Sequence, residues 1–240
     1  MRQGGHSLVE FMIAMTAGAV ILSAAQQSLL HFQHRLYRQQ ETMAQQQDAR
    51  LGLRVLEAEL RAAGSGASLV GPAILKANPQ EIEFLANLNS QTTTLTTAAS
   101  VGQQELKVLD GSGWPKGKRI VACWADGCVE NRLARDGQRF QLSLAEPLSA
   151  PVPVGSAVFV SNQVRYYLGE ARSGRPSLMR QVDGGANALI GEVQRFRLTY
   201  LDHGGRVTQD PAGVARVRVE LMFGDHPYPI VTEVGLRGRL

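Results

Sequence analysis

Aromatic side chains are scarce here: phenylalanine, tyrosine and tryptophan make up 6% of 240 residues. So few rings argue against the base-stacking platforms of single-strand nucleic-acid binders. Charge of one sign is not in excess either. The formal balance of +4 does not by itself point to a nucleic acid. Cysteine occurs twice, at Cys123 and Cys128. No second Cys or His pair follows at ligand spacing, so a zinc set is incomplete, and the four intervening residues are not a Cys-x-x-Cys redox motif. His31 and His34 stand three apart on a helical stretch with no further ligand in view. Asp110, Asp202 and Asp210 lack EF-hand spacing, and His203 and His226 have no Ser or Cys nucleophile motif to serve. The stretch from Gly111 to Arg119 fails as a phosphate loop, because five residues separate Gly111 from Gly117-Lys118 and Arg119 stands where Ser or Thr is needed. A β-turn suits it better. No internal repeat is visible. The sequence therefore offers no catalytic, metal or cofactor set, and a chain that is not an enzyme is expected.

What is present begins with one apolar run. From Leu8 to Ala25 the only charge is Glu10, and the other polar side chains are Thr16 and Ser23. That is close to the ~20 residues a helix needs to cross a bilayer. A carboxylate there costs on the order of 2.5–3.5 kcal/mol at the membrane centre, so Glu10 calls for a function and a partner. Two plainer readings compete. One is an ordinary single-span anchor with a tolerated glutamate. The other is a secretory signal cut after Ala25, which Glu10 and the single basic residue of Met1–Gly5 argue against.

The order Gly5-His6-Ser7-Leu8-Val9-Glu10-Phe11-Met12-Ile13-Ala14 resembles the class III leader of type IV pilins and type II secretion pseudopilins. The resemblance implies that a prepilin peptidase cuts after Gly5, that the new N-terminus at His6 is methylated, and that Glu10 becomes the fifth mature residue. The family usually has Phe or Met where His6 stands. Physical chemistry agrees with this reading. Cleavage leaves an amine, charged if its pKa stays near ~8, one helical turn from Glu10. In low dielectric the two charges attract strongly, and each lowers the other's burial cost. If the amine belongs to a neighbouring subunit, Glu10 sets the register of assembly.

The helix is expected to continue. Gln26 to Ala63 holds no proline, and its only glycine is Gly52. Leu53, Leu56, Leu60 and Ala63 repeat at threes and fours, and Gly64-Ser65-Gly66 is a stop signal. A helix from Ser7 to Ala63 is roughly 85 Å long, its Leu face laid on a sheet. Gly18 is a candidate for close helix approach.

Beyond Gly66 the pattern turns to short strands. Ten are expected, at Glu81–Leu85, Glu105–Leu109, Arg119–Trp124, Arg139–Leu144, Ala157–Ser161, Gln163–Leu168, Ser177–Val182, Val193–Asp202, Val214–Phe223 and Ile230–Leu236. Alternation in Val217-Arg218-Val219-Glu220-Leu221 and Arg195-Phe196-Arg197-Leu198 suits an antiparallel sheet wet on one face. The polar run Gln91–Ala99 reads as a surface loop or edge strand. The expected division is a leader at 1–5, a long helix at 6–63 with its membrane half at 8–25, an inserted β subdomain at 67–162, and the sheet of the head at 163–240.

The late pattern (Gln163–Leu168, Ser177–Arg180, Phe196–Leu201, Val214–Val219 and Gly235-Leu236-Arg237) resembles the head of PilW-type minor pilins, relatives of the J-subunit pseudopilins of type II secretion. The fold this implies is α+β and pilin-like, a long N-terminal helix packed on an antiparallel head with an inserted β subdomain. The implied function is a minor pilin that helps start a type IV pilus, at its tip with other minor pilins. The alternatives are a minor secretion pseudopilin, or a membrane-anchored module that binds a ligand or DNA. Implied partners are other minor pilins, the major pilin, prepilin peptidase, the inner-membrane assembly platform and the lipid bilayer. The implied location is the inner membrane with the head in the periplasm, then the surface pilus. Outside the cytoplasm Cys123 and Cys128, around an Asp126-Gly127 turn, suit a disulfide, with two free thiols as the alternative. The late arginines, among them Arg180, Arg195, Arg197, Arg216 and Arg218, read as a solvated face. A nucleic-acid contact there is a further alternative, without aromatic interleaving to favour it.

Overall fold

The computed structural model describes residues 8–65, 72–171, 174–223 and 229–236. A helix of 54 residues, α1, spans Leu8–Arg61. Its length follows from a proline-free run rich in Leu, Ala, Gln and Arg, all good helix formers. It stops two residues before the expected Ala63. Ala63 instead bridges Ala86, and the N–H of Gly64, at a φ of 82°, bonds the Leu85 carbonyl at 2.8 Å. Only glycine takes that backbone without strain. The chain divides into two compact units, residues 1–50 and 51–240. Among its described residues the first is α1 alone.

The second unit holds the last turns of α1 and fourteen described strands. They are β1 Ile74–Asn78, β2 Glu81–Ala86, β3 Thr92–Thr94, β4 Glu105–Lys107, β5 Arg119–Trp124, β6 Gly127–Arg132, β7 Gln141–Ser143, β8 Ala157–Val160, β9 Asn162–Glu170, β10 Pro176–Val182, β11 Gly185–Gly191, β12 Val193–Leu201, β13 Arg216–Phe223 and β14 Ile230–Gly235. They form antiparallel sheets ordered β1-β2-β9-β10-β11, β12-β13-β14, β3-β8-β5-β6 and β4-β7. The class is α+β, as expected.

All ten expected strands exist, with ends shifted by a few residues. Three were not expected, and a fourth, β3, only as one of two alternatives. β11 opens Gly-Ala-Asn-Ala and β6 is largely polar, so neither carries the β-branched runs that betray a strand. β1 follows a glycine- and proline-rich stretch, and β3 lies in the polar run for which a loop or edge strand was expected. It is the edge strand.

The block boundaries also differ. β1 and β2 do not belong with the inserted residues. β2 pairs with β9 from Glu81↔Tyr167 to Ala86↔Asn162, so the inserted part begins at β3 and ends at β8. Residues 163–240 are split between two sheets. The inserted part has a core of its own, in which Leu95, Trp114, Ile120, Leu142 and Val158 are buried. Elsewhere in this unit Leu56 and Leu60 of α1 are buried, as are Phe84, Tyr166, Phe196 and Val219 on the strands. The sheets are tied at the β1–β2 turn. Leu198 N–H bonds the Pro79 carbonyl at 2.7 Å, and the Tyr200 hydroxyl lies 2.7 Å from the Asn78 carbonyl and 3.0 Å from that of Glu81. Burial pushes the Tyr200 pKa up, and the Glu81 charge adds to the shift.

Candidate functional site

The N-terminal part of α1 presents apolar surface without a partner in its own unit. Leu8 is 78% exposed and Phe11 64%, and Met12, Met15, Val20 and Leu22 are likewise exposed. The span Glu10–Gln40 is long and apolar enough to cross a membrane. The hydroxyls of Thr16 and Ser23 are satisfied within the helix. Thr16 Oγ1 donates towards the Met12 and Ile13 carbonyls at 3.0 and 2.9 Å, and Ser23 Oγ to the Ala19 carbonyl at 2.7 Å. In a membrane, neither would be an unpaired donor. Glu10 stands in the first turn, where the positive end of the helix dipole favours a carboxylate. Gly5 and His6 lie outside the described residues. Gly18 has nothing within 4 Å of where a Cβ would stand, so no other described part of this chain approaches it closely.

The close approach is at Gly52. A Cβ there would fall on Ile190 Cγ1 and 2.7 Å from its Cδ1, and Ile190 is buried in β11. Two turns on, α1 carries a carboxylate inside its leucine face. Glu59 accepts hydrogen bonds from the Tyr166 hydroxyl and from Arg180, whose Nε lies 3.0 Å from each carboxylate oxygen. The Glu59 side chain is 12% exposed. Burial drives the Tyr166 pKa up, and the Glu59 charge beside it adds to the rise. The bond to Glu59 raises the Arg180 pKa, against a burial that would lower it. The cluster pins helix to sheet. Thr232 of β14 adds a bond to Glu57 Oε1 at 2.7 Å.

This corrects the reading of Arg180 as part of a solvated face. Arg195 and Arg197 are exposed as expected. Arg216 and Arg218 each contact Glu233 at 3.1 Å, so the outer face of β13 and β14 alternates in sign. The sequence had a signal for the missed cluster: Glu59 falls between Leu56 and Leu60, where a lone carboxylate must find donors.

Cys123 and Cys128 are joined, directly opposite one another across β5 and β6. Their Cα atoms lie 4.1 Å apart, and Ala125-Asp126 makes the turn. Asp183, in the turn between β10 and β11, links the inserted part to the five-stranded sheet. Its carboxylate receives Lys118 Nζ at 2.6 Å, Asn162 Nδ2 at 2.9 Å and the Gln163 N–H at 2.9 Å. Burial alone would raise its pKa, but these donors outweigh burial and hold it below the ordinary value.

The other candidates stay apart. His31 and His34 are exposed on α1 and His203 is exposed in a turn, while His226 lies outside the described residues. Asp110, Asp202 and Asp210 each cap their own turn, accepting from Ser112, Arg206 and Ala212 N–H. Gly113 and Gly117 take positive φ in turns around a buried Trp114. Comparison with protein-family models gives no match to this chain, and no curated protein matches it.

Proposed function

We propose that the chain is a minor pilin, anchored by α1 in the inner membrane and incorporated into a type IV pilus with other minor pilins and the major pilin. The observation that carries this reading is the placement of Glu10. It follows Gly5 by five residues and occupies the first turn of a helix whose next 15 or so residues are almost wholly apolar. Cutting after Gly5 would create an amine within a helical turn of that carboxylate. In the filament the amine of one subunit would pair with the Glu10 of its neighbour. The continuous helix supports the reading too, because it joins the apolar segment to turns clamped on a β-rich unit by Glu59. No catalytic chemistry is part of this function.

The test has two arms. Mass spectrometry of the mature protein should give a chain beginning at His6, and a start near Gln26 or an intact Met1 would defeat the reading. Glu10→Ala should leave the folded unit and membrane insertion intact while filament assembly fails or slows. Removing one side of a buried pair costs about 3–5 kcal/mol. Normal pili incorporating the variant at matched protein levels would remove the role assigned to Glu10. Loss of secretion in place of loss of pili would move the chain to the secretion machine.

A further inference from the structure

The exposed surface of α1 carries a seven-residue repeat. Leu8, Met15, Leu22, Leu29, Leu36 and Met43 stand seven apart. All are exposed, Leu22 at 71% and Met43 at 68%. Three residues after each of the first five come Phe11, Gly18, Ala25, Phe32 and Gln39. Two rows spaced alternately by three and four make the seam of a left-handed coiled coil. Lipid does not account for its whole length. About 20 helical residues cross the hydrocarbon, so a span starting near Leu8 ends close to Ser28. Phe32, Leu36 and Met43 project beyond it.

The margins of the projecting part hold no carboxylate. Gln26, Gln33, Gln40 and Gln47 repeat along one side, with Ser28 and Arg35 on the other. We infer that this seam pairs with the same seam of a second copy of the chain, parallel and in register. Copies inserted the same way into one membrane can meet only in parallel. In register, leucine rows face leucine rows, and Gly18 and Ala25 let the backbones come close inside the bilayer. Gln39 faces Gln39, and a polar pair at such a position fixes register at some cost in stability. Arg35 falls opposite Gln40 of the second copy, so self-pairing sets no like charges against each other. His31, His34 and Arg38 lie outside the seam.

The pairing rests on α1 crossing a membrane and not on the filament to which the chain belongs. Single cysteines are placed in the full-length chain at seam positions (Leu29→Cys, Leu36→Cys, Met43→Cys) and off it (Gln27→Cys, His34→Cys), leaving Cys123 and Cys128 in place. The variants are expressed in membranes free of other filament subunits and of prepilin peptidase, then oxidised. A disulfide-linked dimer is expected at the three seam positions and is lost at the two others. Equal cross-linking at all five overturns the pairing. So does the absence of any cross-linked dimer at the three seam positions. Because neither peptidase nor filament is present, failure here leaves the test at His6 and Glu10 standing, and the reverse holds too.

Discussion

At the scale of single residues, the most exacting arrangement is Glu59 with Tyr166 and Arg180. A carboxylate in the middle of a leucine face is tolerated because two donors from β9 and β10 converge on it. We predict that Glu59→Ala destabilises the folded unit by about 1–3 kcal/mol, the cost of leaving the buried Tyr166 hydroxyl and the half-buried Arg180 without their acceptor. Tyr166→Phe should cost less, roughly 1 kcal/mol, because Arg180 still satisfies the carboxylate. Urea denaturation of the detergent-solubilised chain measures both. Equal losses, or no loss with Glu59→Ala, would show that packing and not the hydrogen bonds holds the helix down. The leucines beside Glu59 were legible in the sequence because helical spacing repeats locally. The donors were not, since Tyr166 and Arg180 lie more than a hundred residues away and nothing local marks them as partners.

At the scale of elements, α1 meets β11 through the absence of a side chain. Gly52 costs helix propensity, about 1 kcal/mol against alanine, and an exposed Gly→Ala change in a helix should therefore stabilise. Here the sign should reverse, because the added methyl meets buried Ile190 and overpacking costs about 1–3 kcal/mol. We predict a net loss for Gly52→Ala that Ile190→Val partly relieves, read as coupling in a double-mutant cycle. A stabilised single variant would refute the contact. The same contact explains what sequence reading could and could not reach. Gly52 stood out as the one glycine between Gln26 and Ala63, but only Gly18 was named for a close approach, since a glycine announces room and never its occupant. The strands with alternating Val, Leu and Arg were found almost to the residue. β11 was missed because Gly-Ala-Asn-Ala is a strand only by virtue of its pairing with β10.

At the scale of the whole folded unit, Asp183 joins separately packed parts, and its chemistry makes that junction sensitive to acid. Its carboxyl is held below the ordinary value, as is that of Glu81, where bonds from Arg165 and Lys76 outweigh burial. A carboxyl whose pKa falls on folding stabilises the fold above its unfolded value, ~3.9 for Asp, and that contribution drains away as pH falls through the lower folded value. We predict that Asp183→Asn is less stable than the natural chain near neutral pH and that the difference closes below about pH 4. Trp114 and Trp124, both in the inserted part, provide the fluorescence readout. A difference that persists unchanged into acid would mean that the Lys118 charge pair contributes nothing. The way the inserted part is attached has a further consequence. Ala86 and Asn162 face each other in register, and Val160 N–H bonds the Gln91 carbonyl at 3.1 Å, so the chain departs and returns through one doorway. To the five-stranded sheet everything between is a hairpin loop, and closure entropy grows only slowly with loop length. Descendants of this gene are free to enlarge, trim or exchange that cassette while the frame that carries it stays as it is.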